Sequence, residues 1–258
     1  MNSQATPWKE AVINHPWIIR LKAVVCIAEK DARLYFFKGP NLTFGILLPL
    51  VLYWAFAVGR DIELSVVIPG LIAMAVLFGA GAVQSISLPL ERRTGTLYAL
   101  LTAPITTPMV VLGKVLAGVL FGLVLSLIYL IFVLLFLKLE INITLFFLAC
   151  IVSSCCFSAF GLLLATPFHD IPQAMPPATV VRIAIVFLSS TFMPIESMST
   201  VSRFVAQVLP ITYAADALRQ AMNGALSAGS FALDLVVLTV YGVAFLWAAV
   251  RLLGRDDT

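Results

Sequence analysis

A run of charged side chains, Glu91-Arg92-Arg93, lies between two long apolar stretches of the sequence. Each charge would cost roughly 2.5–3.5 kcal/mol at the centre of a bilayer, so this segment belongs in water or against another protein. Apolar residues recur at helical spacing over 97–101, where Pro104 would end a short helix and a preceding threonine could cap it. Two interpretations remain open: a surface on which another protein docks, and an ordinary solvated loop beside a membrane span.

Residues for catalysis or metal binding are sparse and scattered. The four cysteines, which we interpret as buried and inert, show no Cys-x-x-Cys spacing and have no histidine nearby: Cys26, Cys150, Cys155 and Cys156. His15 and His169 stand alone, and a lipid-modifying enzyme would need a convergent set of acids, histidines or metal ligands. No Gly-x-x-x-x-Gly-Lys-Ser/Thr phosphate loop occurs. We therefore predict a chain that is not an enzyme and holds no cofactor or metal itself.

The composition indicates an integral membrane protein. Hydrophobic residues make up 61% of the 258 residues and charged residues 11%, against about 25% charged residues in soluble domains. The net charge of +3 is small and the basic residues lie beside apolar stretches, so nucleic acid is not an expected partner. The polar N-terminus carries no signal-peptide pattern, so we expect it to stay in the cytoplasm.

Apolar runs predict an all-α fold with six membrane spans in a single domain over 41–258. The spans cover about 42–58, 64–90, 110–137, 141–167, 178–194 and 234–252. A polar, proline-rich turn over 168–177 precedes the fifth span, which is short for a full crossing.

A cytoplasmic N-terminal segment over 1–40 contains an amphipathic helix at about 17–38. This helix is too charged to cross a bilayer, and its basic flank and aromatic residues suit the headgroup layer better than packing in a soluble protein.

Two half-length helices are predicted between the fifth and sixth spans. Ser199 could cap the first, which would end at Pro210, and Thr212 could cap the second. Asp216 and Arg219 on the second helix are spaced to pair on one face. Short apolar helices that carry charge suit a re-entrant pair, which dips into one leaflet where protein covers its ends.

The distribution of basic residues predicts the orientation. With the N-terminus inside, 12 lysines and arginines fall on the inner side and 4 on the outer side. This bias follows the positive-inside rule and places both termini and the charged run in the cytoplasm. The half-helices then lie on the outer face.

Ion coupling has weak support in the sequence. Ion-driven carriers usually place ionisable groups near the middle of the membrane, whereas Lys114, Arg182 and Asp234 lie near predicted span ends, where they can reach the interface. Energy for active transport must then come from a partner.

Four segments together resemble the signatures of the ABC type-2 permeases. They are Glu-Arg-Arg-Thr-Gly-Thr-Leu at 91–97, Leu-Thr-Ala-Pro at 101–104, Phe-Met-Pro-Ile-Glu at 192–196 and Leu-Pro-Ile-Thr-Tyr-Ala-Ala-Asp-Ala-Leu-Arg at 209–219. The family includes drug, nodulation-factor and polysaccharide exporters. One departure is Arg93, where the family often has a second acid.

The resemblance implies a half-transporter in which two permeases pair, as identical copies or as paralogues, each on a separate ATPase subunit that binds MgATP. It places five residues at a coupling helix seated in the ATPase: Glu91, Arg92, Gly95, Thr96 and Leu97. The N-terminal amphipathic helix would flank this contact. Glu91→Lys is then expected to leave membrane insertion intact but to uncouple ATP hydrolysis from transport.

The resemblance also implies a substrate pathway between the protomers, lined mainly by the second and fifth spans. The candidates there are Phe78, Gln84, Ser85, Ser189, Ser190 and Phe192. Serines in membrane helices also pack against neighbouring helices or bond to their own backbone. The candidates for an outer gate are Glu196, Asp216 and Arg219.

These observations predict the membrane subunit of an ABC exporter in a prokaryotic inner membrane, which moves a hydrophobic or amphipathic molecule outward. The alternative is an ion-coupled secondary transporter that acts without an ATPase. A purely structural subunit is a further, weaker interpretation. The expected partners are the ATPase subunits, a second permease and the lipid bilayer.

Overall fold

The computed structural model describes residues 16–37, 39–57, 64–102, 105–136, 141–191, 198–223 and 228–254. Within these ranges the secondary structure is helical throughout, without a strand. The α-helices are α1 (Pro16–Tyr35), α2 (Gly39–Leu42), α3 (Leu48–Ala57), α4 (Leu64–Thr94), α5 (Thr96–Leu101), α6 (Thr107–Phe136), α7 (Ile143–Ala165), α8 (Ile171–Leu188), α9 (Thr200–Val208), α10 (Pro210–Asn223) and α11 (Ala228–Leu253). A π-helical segment, Thr43–Leu47, joins α2 to α3.

Five helices in the described ranges are long and apolar enough to cross a membrane: α4, α6, α7, α8 and α11. The all-α membrane fold is therefore confirmed to this extent. The first predicted span is helical up to Ala57 but is divided among α2, the π-helical segment and α3. Helix α3 alone has 10 residues and extends about 15 Å, but it continues without a break from α2 and the π-helical segment. The sixth crossing stays a prediction.

Helix α4 is the centre of the fold. All of its positions from 67 to 89 are buried, and it contacts α6, α7, α8 and α10. A helix that is apolar on all sides has no preferred water-facing side, so it becomes the core of the bundle. Its backbone packs directly on that of α7, where a Cβ atom added at Gly161 would overlap the Gly81 backbone. Glycines at both positions let the two backbones touch.

Helix α8 begins earlier than predicted. The Asp170 carboxylate accepts a hydrogen bond of 2.8 Å from the Ile171 amide and caps the helix, which already includes Pro176 and Pro177. The prediction of a turn over these prolines was wrong, because prolines are tolerated in membrane helices when neighbouring helices satisfy the freed carbonyls. The helix ends at Leu188, so Ser189 follows it in extended conformation.

The predicted half-helices are present as α9 and α10. Ser199 caps α9 as predicted, since its hydroxyl accepts a hydrogen bond from the Ser202 amide. Helix α10 begins at Pro210, a residue suited to the first turn. The Thr212 hydroxyl instead donates to the Ala206 carbonyl at 2.6 Å and ties the two helices together. The re-entrant placement of this pair stays a prediction.

The amphipathic helix α1 packs along α6. A Cβ atom at Gly113 of α6 would lie 2.8 Å from the Ile27 side chain, which shows how closely the helices approach. Leu21, Val25 and Leu34 remain exposed on another side of α1. This arrangement leaves α1 with one side held by protein and one apolar side uncovered in the isolated chain.

The cysteines are only partly as predicted. Cys150 and Cys156 are buried, whereas Cys26 and Cys155 are exposed in the isolated chain. All four are free thiols. Cys155 follows two buried serines on α7, and its position on the helix turns it away from the core.

Candidate functional site

A single residue joins α4 to α5. Gly95 has φ +75°, in the left-handed region that favours glycine, and its amide donates to the Arg92 carbonyl. Gly95, and not a threonine, occupies the N-cap of α5. On α5, Leu97 is buried in a hydrophobic cluster with Val110 of α6, while Tyr98 points outward. The short amphipathic helix predicted at 97–101 is therefore present from Thr96 to Leu101.

An exposed surface surrounds this junction. Its members, which we call the junction surface, are Arg93, Thr94, Gly95, Thr96, Tyr98 and Ala99. Tyr98 is its largest apolar residue, with 57% of its surface exposed. Tyr98 was not among the coupling residues predicted from the sequence, although its place next to the inward-facing Leu97 on an amphipathic helix indicated that it would face outward.

Beside the junction surface lies a charge cluster of Lys30, Asp31, Glu91 and Lys114, in which Lys30 is half-buried and the other three are buried. Lys114 Nζ lies 2.7 Å from Glu91 Oε2 and 3.4 Å from Asp31 Oδ2. Lys30 also contacts both acids, with 3.0 Å between its Nζ and Asp31 Oδ1. Each charge therefore has two neighbours of opposite sign, and the cluster is neutral as a whole. It joins α1, α4 and α6.

The burial of Glu91 and Lys114 differs from the expectation. Glu91 was expected in water or against another protein and Lys114 near the interface, yet their exposed fractions are 2% and 0%. Charges can be buried when they are paired with good geometry. Lys30 lies 61 positions from Glu91 in the sequence, so local spacing could not indicate this pairing.

The cluster changes the titration of the two residues that α1 contributes. Burial raises the pKa of Asp31 and the Glu91 charge adds to this, while Lys114 and Lys30 oppose it. Burial acts to lower the pKa of Lys30, but Asp31 and Glu91 outweigh this effect and raise it. Lys30 is therefore held in its charged form by the two carboxylates.

Two arginines fasten the end of α4 to the connection between α7 and α8. Arg92 is buried and its Nη1 donates to the backbone carbonyls of Thr166 and Phe168, the latter at 3.0 Å. Arg93 is exposed, with its Nη1 3.4 Å from Asp170 Oδ1. Arg92 therefore contacts the chain's own backbone, and the junction surface presents Arg93 as its charged residue.

The pathway candidates on α4 are buried inside the chain. Phe78, Gln84 and Ser85 are each at most slightly exposed. The Gln84 amide donates to the Lys114 carbonyl at 2.5 Å and to the Ser158 hydroxyl at 3.3 Å. The structure uses these polar groups to join α4, α6 and α7, and their contact with substrate stays a prediction.

The gate candidates Asp216 and Arg219 form an ion pair on α10, with the spacing that the sequence indicated. Arg219 also donates to the hydroxyl and the carbonyl of Ser190. Ser189 is buried beside Ser190, so this group ties α10 to the end of α8. Phe192 and Glu196 lie outside the described residues, and the gating role stays a prediction.

Long apolar helices around a buried central span define a multi-pass membrane protein. The family model of the ABC-2 type transporter matches residues 34–223. The chain therefore belongs to the ABC-2 type transporter family and is a membrane component of an ABC transporter, a class that works with an ATPase. Among curated proteins, no match to this chain is found.

Proposed function

We propose that this chain is the permease subunit of an ATP-driven exporter that moves a hydrophobic or amphipathic molecule out of the cell. Family membership and the missing phosphate loop support this division of labour. A separate ATPase subunit binds and hydrolyses MgATP, and this chain performs no catalysis. The observation that carries the proposal is the charge cluster directly beside an exposed helix turn.

The geometry suggests how ATP hydrolysis is coupled to the spans. A partner that binds the junction surface displaces α5, and Gly95 connects α5 directly to the central helix α4. The charge cluster ties the end of α4 to α1 and α6, so these helices move with it. Closure of two ATPase subunits is a rigid-body motion of the kind that shifts packed helices.

The assembly that we propose contains two permeases and two ATPase subunits in a prokaryotic inner membrane. The second permease is an identical copy or a paralogue. Both termini and the junction surface face the cytoplasm, as the bias of 12 basic residues inside against 4 outside indicates.

An ion-coupled carrier is the second candidate, and buried acids are the observation that favours it. Asp31 and Glu91 are carboxylates inside the structure, a feature that proton- or sodium-driven carriers use. Both are held in salt bridges to lysines, which leaves neither as an open acceptor. Transport by this chain alone in vesicles, without ATP, would favour this candidate over the exporter.

The test of the exporter is a substitution on the junction surface. Tyr98→Ala removes the exposed ring without touching the charge cluster, so the protein is expected to fold normally. Because exposed aromatic residues often anchor interfaces, we expect the ATPase that copurifies with the permease from native membranes to bind about tenfold or more weakly. Binding is measured by titrating the purified ATPase onto immobilised permease.

Phe204→Ala on α9 is the matched control, since Phe204 is an aromatic residue with 70% exposure on the face predicted to lie outside. Its ATPase binding is expected to equal that of the unsubstituted protein. Equal loss in both variants, or the absence of any ATPase from the native complex, would contradict the proposed function.

A further inference from the structure

Arg182 is a buried charge without a counter-charge. It lies in the middle of α8 with 2% exposure. Its Nη2 donates to the Gly81 carbonyl at 2.9 Å and to the Ser85 hydroxyl at 2.6 Å, and its Nε has no hydrogen-bond partner. Across the described residues, no Asp or Glu carboxylate lies within salt-bridge distance of its guanidinium. Lys114, buried to the same degree, has two carboxylate partners.

A guanidinium in this position is costly for the folded protein. Arginine stays protonated in proteins, so it cannot escape the cost of burial by losing its proton. A neutral carbonyl and a hydroxyl compensate a buried charge less well than an anion does. An anion would stabilise Arg182 at this position, and the described part of the chain does not supply one.

The local shape is suited to the guanidinium group. A Cβ atom added at Gly81 would lie 3.1 Å from Arg182 Nε, 3.2 Å from Nη2 and 3.3 Å from Cζ. The planar group thus rests against a residue without a side chain, and a methyl group there would force it aside by a few tenths of an ångström. Both donors on this edge face α4.

Helix α8 is held against the bundle by a narrow stripe. Its buried residues recur every fourth position: Ala174, Ala178, Arg182 and Val186. Three of the four are small or medium apolar residues, and only 22% of the apolar window of α8 is buried. The ends of α8 are held by the Arg93–Asp170 pair and by the bonds from Arg219 to Ser190. A shift of the middle of α8 away from α4, where only this stripe is buried, frees the Nη2 and Nε groups of Arg182.

We propose that Arg182 binds the anionic head, a carboxylate or a phosphate ester, of an amphiphile that enters between α4 and α8. This assignment rests on the proposed function and specifies its cargo as an acidic amphiphile. The freed N–H groups form the two parallel hydrogen bonds that guanidinium makes to carboxylate or phosphate. Ser85 lies 2.6 Å from Nη2 and is the next polar group along the site.

The experiment measures binding to the full-length protein in phosphatidylcholine nanodiscs. The probe is the fluorescent acid 11-(dansylamino)undecanoic acid, and its methyl ester is the neutral reference. We expect the unsubstituted protein to bind the acid about tenfold more tightly than the ester, the effect of one charged hydrogen-bonding group. Arg182→Gln should bind both equally, and Arg182→Lys should keep part of the preference.

Arg203→Gln is the matched control, because it removes an exposed arginine on α9 and should leave the preference unchanged. No preference in the unsubstituted protein, or a full preference in Arg182→Gln, would overturn the assignment. Gly81→Ala provides a second variant that keeps the charge but displaces it, and it should also weaken acid binding.

The Tm of Arg182→Gln distinguishes an anion-binding arginine from one that only holds α8 against α4. If Arg182 only clamps α8 to α4, Arg182→Gln lowers the Tm without any probe and leaves the acid preference intact. Our assignment predicts an unchanged or higher Tm without probe, because an uncompensated charge is removed, and loss of the acid-induced rise in Tm. Lower Tm together with retained preference would refute it.

Anionic lipid and free amphiphile are separated by adding phosphatidylglycerol to the nanodiscs. If phosphatidylglycerol weakens binding of the fluorescent acid to the unsubstituted protein but not to Arg182→Gln, the ligand is a lipid headgroup. If the affinity for the acid is unchanged, the ligand is the free amphiphile. No nucleotide or ATPase enters this experiment. Its failure therefore leaves the permease assignment in place, and failure of ATPase binding leaves the anion site in place.

Discussion

The stability of this protein depends strongly on the single charged residues of the charge cluster. Lys30, Asp31, Glu91 and Lys114 come from three helices, and each charge touches two of opposite sign. Removing one of the three buried members, Asp31, Glu91 or Lys114, leaves the others with unequal charge in a place that is largely shielded from water. The cluster is therefore where a single substitution has its largest effect on stability.

Glu91→Gln is expected to destabilise the fold. The change leaves Lys30 and Lys114 with Asp31 as their common acid. Because an uncompensated buried charge is left behind, we expect a loss of about 3–5 kcal/mol in the free energy of unfolding, measured by thermal and denaturant unfolding in detergent. Glu91→Lys, which the sequence predicted to uncouple transport only, adds a third lysine and should reduce stability further.

The double substitution Glu91→Gln with Lys114→Gln distinguishes pairing from a general intolerance at this site. It removes one charge of each sign, so it should be more stable than Glu91→Gln alone. Glu29→Gln is the control, since the Glu29–Arg33 pair is exposed and should contribute less than about 1 kcal/mol. A double variant no more stable than Glu91→Gln would disprove the pairing argument.

Sequence spacing predicts contacts within a helix but not between helices. The pair of Asp216 and Arg219 was predictable because three positions on a helix place them side by side. Glu91 and Lys114 lie on different helices, so no spacing rule relates them. The contact between Arg182 on α8 and Gly81 on α4 likewise could not be predicted from the sequence.

At the scale of helices, the backbones of α4 and α7 are in direct contact. Gly161→Ala forces a methyl group against the Gly81 backbone, and backbone cannot move aside as a flexible side chain does. Overpacking of this kind costs about 1–3 kcal/mol, so we expect a lower Tm in detergent. Gly229→Ala on α11 is the control, because nothing lies within 4 Å of its added methyl group.

An unchanged Tm for Gly161→Ala would contradict the close packing of α4 on α7. A lowered Tm for Gly229→Ala of the same size would mean that the method does not distinguish crowded from open sites.

The sequence predicted the helices better than their ends. Long apolar runs cannot satisfy their backbone in lipid except as helices, which is why five of the predicted spans are found as long helices. The bounds of α8 were missed because Pro176 and Pro177 read as a turn, while the Asp170 cap that begins the helix lies before them. Proline signals the end of a helix in water more reliably than in a membrane.

For the whole molecule, the proposed orientation can be checked by labelling. Tyr98→Cys and Ser202→Cys place thiols at exposed positions on α5 and α9, in a background where the exposed Cys26 and Cys155 are replaced by serine. A membrane-impermeant maleimide should label Ser202→Cys in intact cells and Tyr98→Cys in inverted vesicles only. The basis for this expectation is the distribution of basic residues.

Labelling of Tyr98→Cys from outside intact cells would reverse the orientation and remove the junction surface from reach of a cytoplasmic ATPase. Labelling of both positions from the same side would instead contradict the number of crossings between α5 and α9.

The sequence predicted where the site lies along the chain, but not which side chains pair with one another there. The charged run marked the place where α4 ends, because charge stops a membrane span, whereas the left-handed turn at Gly95 was not predicted. Which side chains face outward depended on α1 and α6, whose Lys30 and Lys114 pair with Glu91 and hold it inward. Only the packing of α1 on α6 decides that, and neighbouring positions in the sequence carry no record of it.

The junction at Gly95 has a mechanical consequence. Since one residue separates α4 from α5, no flexible linker lies between them that could absorb a displacement of α5. A sideways force at Tyr98 therefore acts on the end of α4 as a torque. The stiffness of the bend, set by the backbone angles of one glycine, would then determine how much work reaches the rest of the bundle.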